Sequence, residues 1–117
     1  MNKNFFRSKL GSQKSSKPGF QYMVDFKMPD MLSEDFIALI PIQRNIINGY
    51  FHSGVMVNYA LSLEHSKIWA IFRANSEIEV LQMVADLPLT PLMDSVEISS
   101  LTFYNAPQSV TAEFSYN

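Results

Sequence analysis

The stretch Leu87-Pro88-Leu89-Thr90-Pro91-Leu92-Met93-Asp94, followed at once by Val96-Glu97-Ile98, limits what this chain can fold into more than any other segment. Each proline removes a backbone donor and clashes with a continuing helix, so no helix survives the segment, and the prolines preset the path out of it. Ahead of it, Val80, Leu81, Val84 and Leu87 recur at helical spacing. Ser76 and Glu79, three residues apart, have the pattern of a capping box that opens that helix. Beyond it, residues 96–104 read as a strand. A helix therefore hands over to a strand through an apolar, proline-set turn, and the rest of the chain must supply what they pack on.

The preceding residues do so. Phe20, Tyr22, Val24, Phe26 and Met28 alternate with Gln21, Met23, Asp25 and Lys27, giving a first strand that Pro29-Asp30 ends. Ser33 is a good N-cap, and Glu34 and Asp35 place negative charge where the helix dipole favours it. Phe36, Leu39, Ile40, Ile46, Ile47 and Tyr50 then form one helical face to about His52, and Gly54 is the expected stop. Pro41, inside this segment, predicts a kink or a short leading helix. Val55, Val57, Tyr59, Leu61 and Leu63 alternate with Met56, Asn58, Ala60 and Ser62. After the polar turn Glu64-His65-Ser66, residues 67–74 form a third strand, so the two make a hairpin. The order is strand, helix, strand, strand, helix, strand. It predicts an α+β, ferredoxin-like βαββαβ fold, a four-stranded antiparallel sheet with two helices on one face. The other face is left bare and, by alternation, reads as carrying too little charge for water. Packing against a second copy, as a homodimer, would cover it.

A chain of 117 residues is one domain. The domain is expected over residues 20–105, between a basic N-terminal tail at 1–19 and a C-terminal extension at 106–117. Apolar residues make up 47% and aromatics 13%, with seven methionines, which again suggests more apolar surface than one small domain hides. The absence of cysteine excludes disulfides and thiolate metal sites and fits a cytoplasmic location. The net charge of −2 hides an asymmetry: Lys3, Arg7, Lys9, Lys14 and Lys17 occur with no acid before residue 20, leaving four basic residues against all eleven acidic ones. An acidic folded body disfavours nucleic acid as a partner. No segment approaches about 18 uninterrupted apolar residues, so no membrane partner is expected.

With the elements placed, the chain resembles the muconolactone isomerase family of dimeric α/β-barrel proteins over residues 20–104. The resemblance rests on Leu87-Pro88-Leu89, Pro91 and Met93-Asp94 before the last strand, and on Gly54 after the first helix. Ile40-Pro41-Ile42-Gln43-Arg44, with Ser66-Lys67 and Trp69, is similar to an uncharacterised subgroup of that family. It implies a ferredoxin-like fold, dimers through the sheet, possible larger rings, and a cofactor-free proton shift on a small lactone or organic acid. The family's enzymes are similar in carrying basic residues just after the equivalent of Gly54, whereas residues 55–61 here hold no charge. An isomerase acting on carboxylates would use such cations.

Gln43 stands at the centre of the first helix's apolar stripe. Either it is a satisfied core amide, bonded for instance to the Ile37 carbonyl freed by Pro41, or it faces a ligand in a cavity between helix and sheet. Arg44, one step around, could hold a carboxylate at the rim. Asn58 and Tyr59 lie on opposite faces of their strand, and alternation does not say which faces the helices. Trp69, the only tryptophan, is a core or interface anchor or a stacking platform. His65 beside Glu64 could form an acid/base pair or simply occupy a solvated turn. The first reading is therefore an isomerase-like enzyme with Tyr59 and His65 as acid/base residues and Gln43, Arg44, Asn58 and Trp69 as substrate contacts. The second is a non-catalytic small-molecule-binding or assembly module on the same dimeric fold. A third is a tail that grips an acidic partner. Two histidines without cysteine, His52 and His65, make a poor metal set, and four glycines make no phosphate cradle, so no metal or cofactor is expected.

Overall fold

The computed structural model describes residues 20–102. The tail at 1–19 and the extension at 106–117 lie outside the described residues. Seven elements follow in order: β1 (Phe20–Lys27), α1 (Glu34–Ser53), β2 (Met56–Ser62), β3 (Lys67–Ala74), α2 (Glu77–Ala85), a 3-10 turn (Thr90–Leu92) and β4 (Ser95–Ser100). The sheet has the order β2-β3-β1-β4, and every pairing is antiparallel. This is the ferredoxin-like βαββαβ fold. Among the described residues no helix is long and apolar enough to cross a membrane.

Local chemistry sets the element ends. Ser33 Oγ accepts the Phe36 N–H at 3.1 Å and starts α1. Gly54, at φ 84°, ends it in the left-handed region that a Cβ would strain. Ser76 Oγ caps the Glu79 N–H at 3.3 Å, while the Glu79 carboxylate reaches back one residue further than a capping box requires, to the Asn75 N–H at 3.0 Å. Three expectations need correction. The segment containing Pro41 is one continuous helix, with no short leading piece. The fourth strand ends at Ser100, before Leu101 and Thr102, and the expected 103–104 lie outside the described residues. The proline segment is not a plain turn but holds the single 3-10 turn Thr90–Leu92.

Burial divides the sheet. Tyr22, Val24 and Phe26 of β1, with Ile68, Ala70 and Phe72 of β3, are buried beneath Phe36 and Ile47 of α1 and Val80 and Val84 of α2. Leu87 and Leu89 from the proline segment complete the core. Both helices thus cover one face. Burying side chains of this size contributes about 1.5–3 kcal/mol each, the main stabilising contribution in a domain this small. The tyrosine hydroxyl of Tyr50 ties the helices together by donating to the Met83 carbonyl at 2.9 Å, and its ring meets Phe72 edge-on at 6.0 Å.

Strand β2 departs from simple alternation. Met56 pairs with Phe72 and Asn58 with Ile71, which leaves Val57 as an extra residue, a β-bulge. Met56 therefore joins Tyr59 and Leu61 on the helix side, and the sequence alternation that set Met56 apart from Tyr59 fails at that one residue.

Candidate functional site

The helix side of the sheet contains one buried polar side chain among the described residues, Gln43, 3% exposed. Its carbonyl Oε1 accepts the backbone N–H of Leu89 at 3.1 Å, and its Nε2 donates to the Tyr59 hydroxyl at 3.2 Å. The amide spans three elements: α1, β2 and the proline segment. Leu89 is itself buried, so without Gln43 its N–H would be a hidden donor with no acceptor. Of the two readings of Gln43, these bonds match the satisfied core amide. Its backbone partner is not the Ile37 carbonyl, however, because the approach of the proline segment offers a donor that the helix cannot.

The proline segment is held at further points. Thr90 Oγ1 donates to the Val84 carbonyl at 2.7 Å, and the Asp94 N–H donates to the Lys27 carbonyl at 2.7 Å. An open groove of about 370 Å³ runs between this segment and the start of α1, lined by Asp35, Ala38, Leu39, Pro88, Pro91 and Leu92. Gln43 does not line it.

The six sequence-derived candidates do not converge. Gln43 and Tyr59 meet, and Arg44 lies close enough to Tyr59 to act on it electrostatically. Burial pushes the Tyr59 hydroxyl above its ordinary value near 10, and the Gln43 hydrogen bond and the Arg44 charge partly oppose that rise. Tyr50 is likewise raised, by burial and then by the nearby Asp86 charge. Asn58 and Trp69 lie on the opposite, helix-free face: Asn58 pairs with Ile71, and Trp69 sits between Ala60 and Asp25. His65 is on the exposed hairpin turn, its Nε2 3.9 Å from Glu64, with a side chain 64% exposed. Tyr59 lies on the helix side of β2, His65 on the hairpin turn and Trp69 on the helix-free face. Among the described residues no group of three histidine or acidic side chains could hold a metal ion.

The helix-free face follows from the strand register. Gln21 lies opposite Arg73, Met23 opposite Ile71 and Ser99, Asp25 opposite Trp69 and Glu97, and Lys27 opposite Lys67 and Ser95. Its centre is apolar, formed by Met23, Trp69, Ile71 and Ala60. The face carries more charge than alternation alone suggested: Asp25 and Glu97 share the row of Trp69, and Arg73, Lys27 and Lys67 occupy rows beyond it. Lys67 and Lys27 are opposed like charges, which the Lys67–Asp25 pair at 3.1 Å offsets. Ile71 is 7% exposed although both helices lie on the other side. On the same face Gln21 Oε1 and Arg73 Nε are buried with no hydrogen-bond partner, while Arg73 Nη1 donates to the Gly54 carbonyl at 3.1 Å. Sequence reasoning missed Gln21 and Arg73 as a pair; their opposition needs the register, which no local motif displays.

No protein-family model matches the chain, and no curated protein matches it. Among solved structures, a transcriptional regulatory protein from Pyrococcus furiosus, a member of the AsnC family, is similar at 14% identity and a TM-score of 0.51. The match covers 95% of this chain and 72% of that one. A second, PH0061, matches at 9% identity and a TM-score of 0.47, over 88% of this chain and 70% of that one, too loosely to carry an argument. At this identity the first likeness establishes a common ferredoxin-like fold, and that fold is as far as the resemblance to muconolactone isomerases extends.

Proposed function

We propose that this domain is a non-catalytic assembly module that pairs with a second copy of itself through the helix-free face of its sheet. The observation that carries the reading is the composition of that face: Met23, Ala60, Trp69 and Ile71 form an apolar centre, and beside it Gln21 Oε1 and Arg73 Nε lie hidden without partners. A second copy set on this face across a two-fold axis would cover that apolar centre with the same residues. Asp25 and Glu97 in the Trp69 row, with Arg73, Lys27 and Lys67 in the rows beyond, give the face both signs of charge, which favours a self-complementary arrangement.

The isomerase reading asks Gln43 to orient a lactone and Tyr59 or His65 to move its proton. Gln43 spends both ends of its amide inside the protein, and His65 stands in solvent away from Tyr59. These placements support assembly over catalysis, and no turnover of muconolactone is expected. A regulatory role like that named for the Pyrococcus furiosus protein would rest on fold analogy alone, since one fold hosts many functions.

Trp69, the only tryptophan, reports on the proposed interface directly. Its emission shifts to the red on dilution if pairing shelters it. The same emission in Ala60→Lys, which sets a charge on the exposed position opposite Trp69, is already red-shifted at high concentration. Emission that is independent of concentration and identical in the variant overturns the reading.

A further inference from the structure

A proton count around Gln43 exposes a second site, on the other side of the sheet from the proposed pairing surface. The Leu89 N–H can only donate, so the Gln43 atom facing it at 3.1 Å is the carbonyl oxygen. That fixes the other end of the amide as the NH2 donor, and the Tyr59 oxygen, 3.2 Å away, must accept. The single proton of the Tyr59 hydroxyl is thereby turned away from Gln43, and no described residue accepts it. Tyr59 as a residue is only partly buried.

Arg44 belongs to the same place. Asp35, Ala38 and Leu39 face the proline segment across the groove, and Tyr50 bonds to α2, which marks one flank of α1. Ile37, Arg44 and Phe51, spaced seven residues apart, form the opposite flank, on the side of the outer strand β2. Arg44 is exposed and forms no ion pair with any described residue, and its charge is felt by Tyr59. Around these two groups the surface is apolar. Leu61, two residues after Tyr59 on the same strand face, is 56% exposed, and Ile37 is 54% exposed.

We infer that the surface between α1 and β2 binds a small carboxylate with an aliphatic tail, the carboxylate taking the Tyr59 O–H and the Arg44 guanidinium and the tail lying along Leu61 and Ile37. A carboxylate is acceptor-only and suits two converging donors, one of them charged. The neutral Tyr59 hydroxyl is held ready by Gln43, which serves as a positioning residue. The site stands independently of self-association, because it uses neither Trp69 nor the helix-free face.

The test is a titration of the isotope-labelled full chain with sodium hexanoate at constant ionic strength, followed by amide NMR shifts, with 1-hexanol as the uncharged control. Saturable shifts centred on Arg44, Tyr59 and Leu61 are expected with hexanoate and not with hexanol. Tyr59→Phe and Arg44→Gln are each expected to weaken binding about tenfold, the loss of one charge-assisted hydrogen bond. Should Tyr59→Phe fail to fold, Arg44→Gln, at an exposed position, decides alone. Shifts that do not saturate by about 10 mM hexanoate, that appear equally with hexanol, or that survive the substitutions unchanged overturn the inference.

Discussion

On the helix side of the sheet, Gln43, the one buried polar side chain among the described residues, has both ends of its amide bonded within the chain. On the other side, Gln21 Oε1 and Arg73 Nε are equally hidden and have no partner. The two faces are made by the same strands, often by adjacent residues, so intrinsic strand propensity cannot explain the contrast. The helix layer completes its own polar bookkeeping, because α1 and the proline segment both reach the sheet there. The other face has no such layer. The pairing proposed above would give that face the layer it lacks.

Substitutions can break this contrast. Phe26→Ala, fully buried on the helix side, should cost about 3–5 kcal/mol in urea unfolding, through lost transfer energy and a cavity. Met23→Ala, one face over, should leave the isolated subunit within about 1 kcal/mol of wild type and weaken pairing instead. Equal losses in both variants at low protein concentration would erase the distinction between the faces. Gln43→Leu comes next: it strands the Leu89 N–H and should cost about 1–3 kcal/mol by thermal or urea melts. A neutral or stabilising result would mean that Gln43 faces a cavity and does not bind the segment.

Smaller effects sharpen the comparison. Gly54→Ala meets no atom within 4 Å of the added Cβ, so its cost should be purely conformational, about 1 kcal/mol from the φ of 84°. Tyr59 also gives a pH signature. Its hydroxyl is raised above the ordinary value near 10, so the folded state keeps the proton after the unfolded chain has lost it. The contribution of Tyr59 is therefore complete below pH 10 and is lost as pH rises through the higher folded value. Unfolding melts from pH 9 upward should decline less steeply in Tyr59→Phe, with Tyr50, raised for the same reason, supplying the remainder. Smallest is the Asp25–Lys67 pair on the helix-free face. Both side chains are about a third exposed, so a double-mutant cycle should return roughly 0.5 kcal/mol, less in high salt.

Much of the fold could be read from local patterns. The caps at Ser33 and Ser76, the stop at Gly54 and the limits of β3 are short-range chemistry, and the structure has them where the residues put them. The bulge at Val57 could not be read, because a valine in a run of apolar residues carries no sign of being unpaired. Its consequence is large, since it determines that Met56 shares the helix side with Tyr59. The partners of Gln43 were equally hidden: the position announced a buried amide, but Leu89 lies 46 residues away and approaches only through tertiary packing. The opposition of Gln21 and Arg73 depends on register across two strands, which sequence spacing does not encode.

Sedimentation equilibrium of the full chain, alongside Ala60→Lys, tests the pairing of the helix-free faces most directly. The account predicts twice the chain mass for the wild type at micromolar concentration and the single-chain mass for the variant. A wild-type protein that stays at the single-chain mass as its concentration is raised would contradict it.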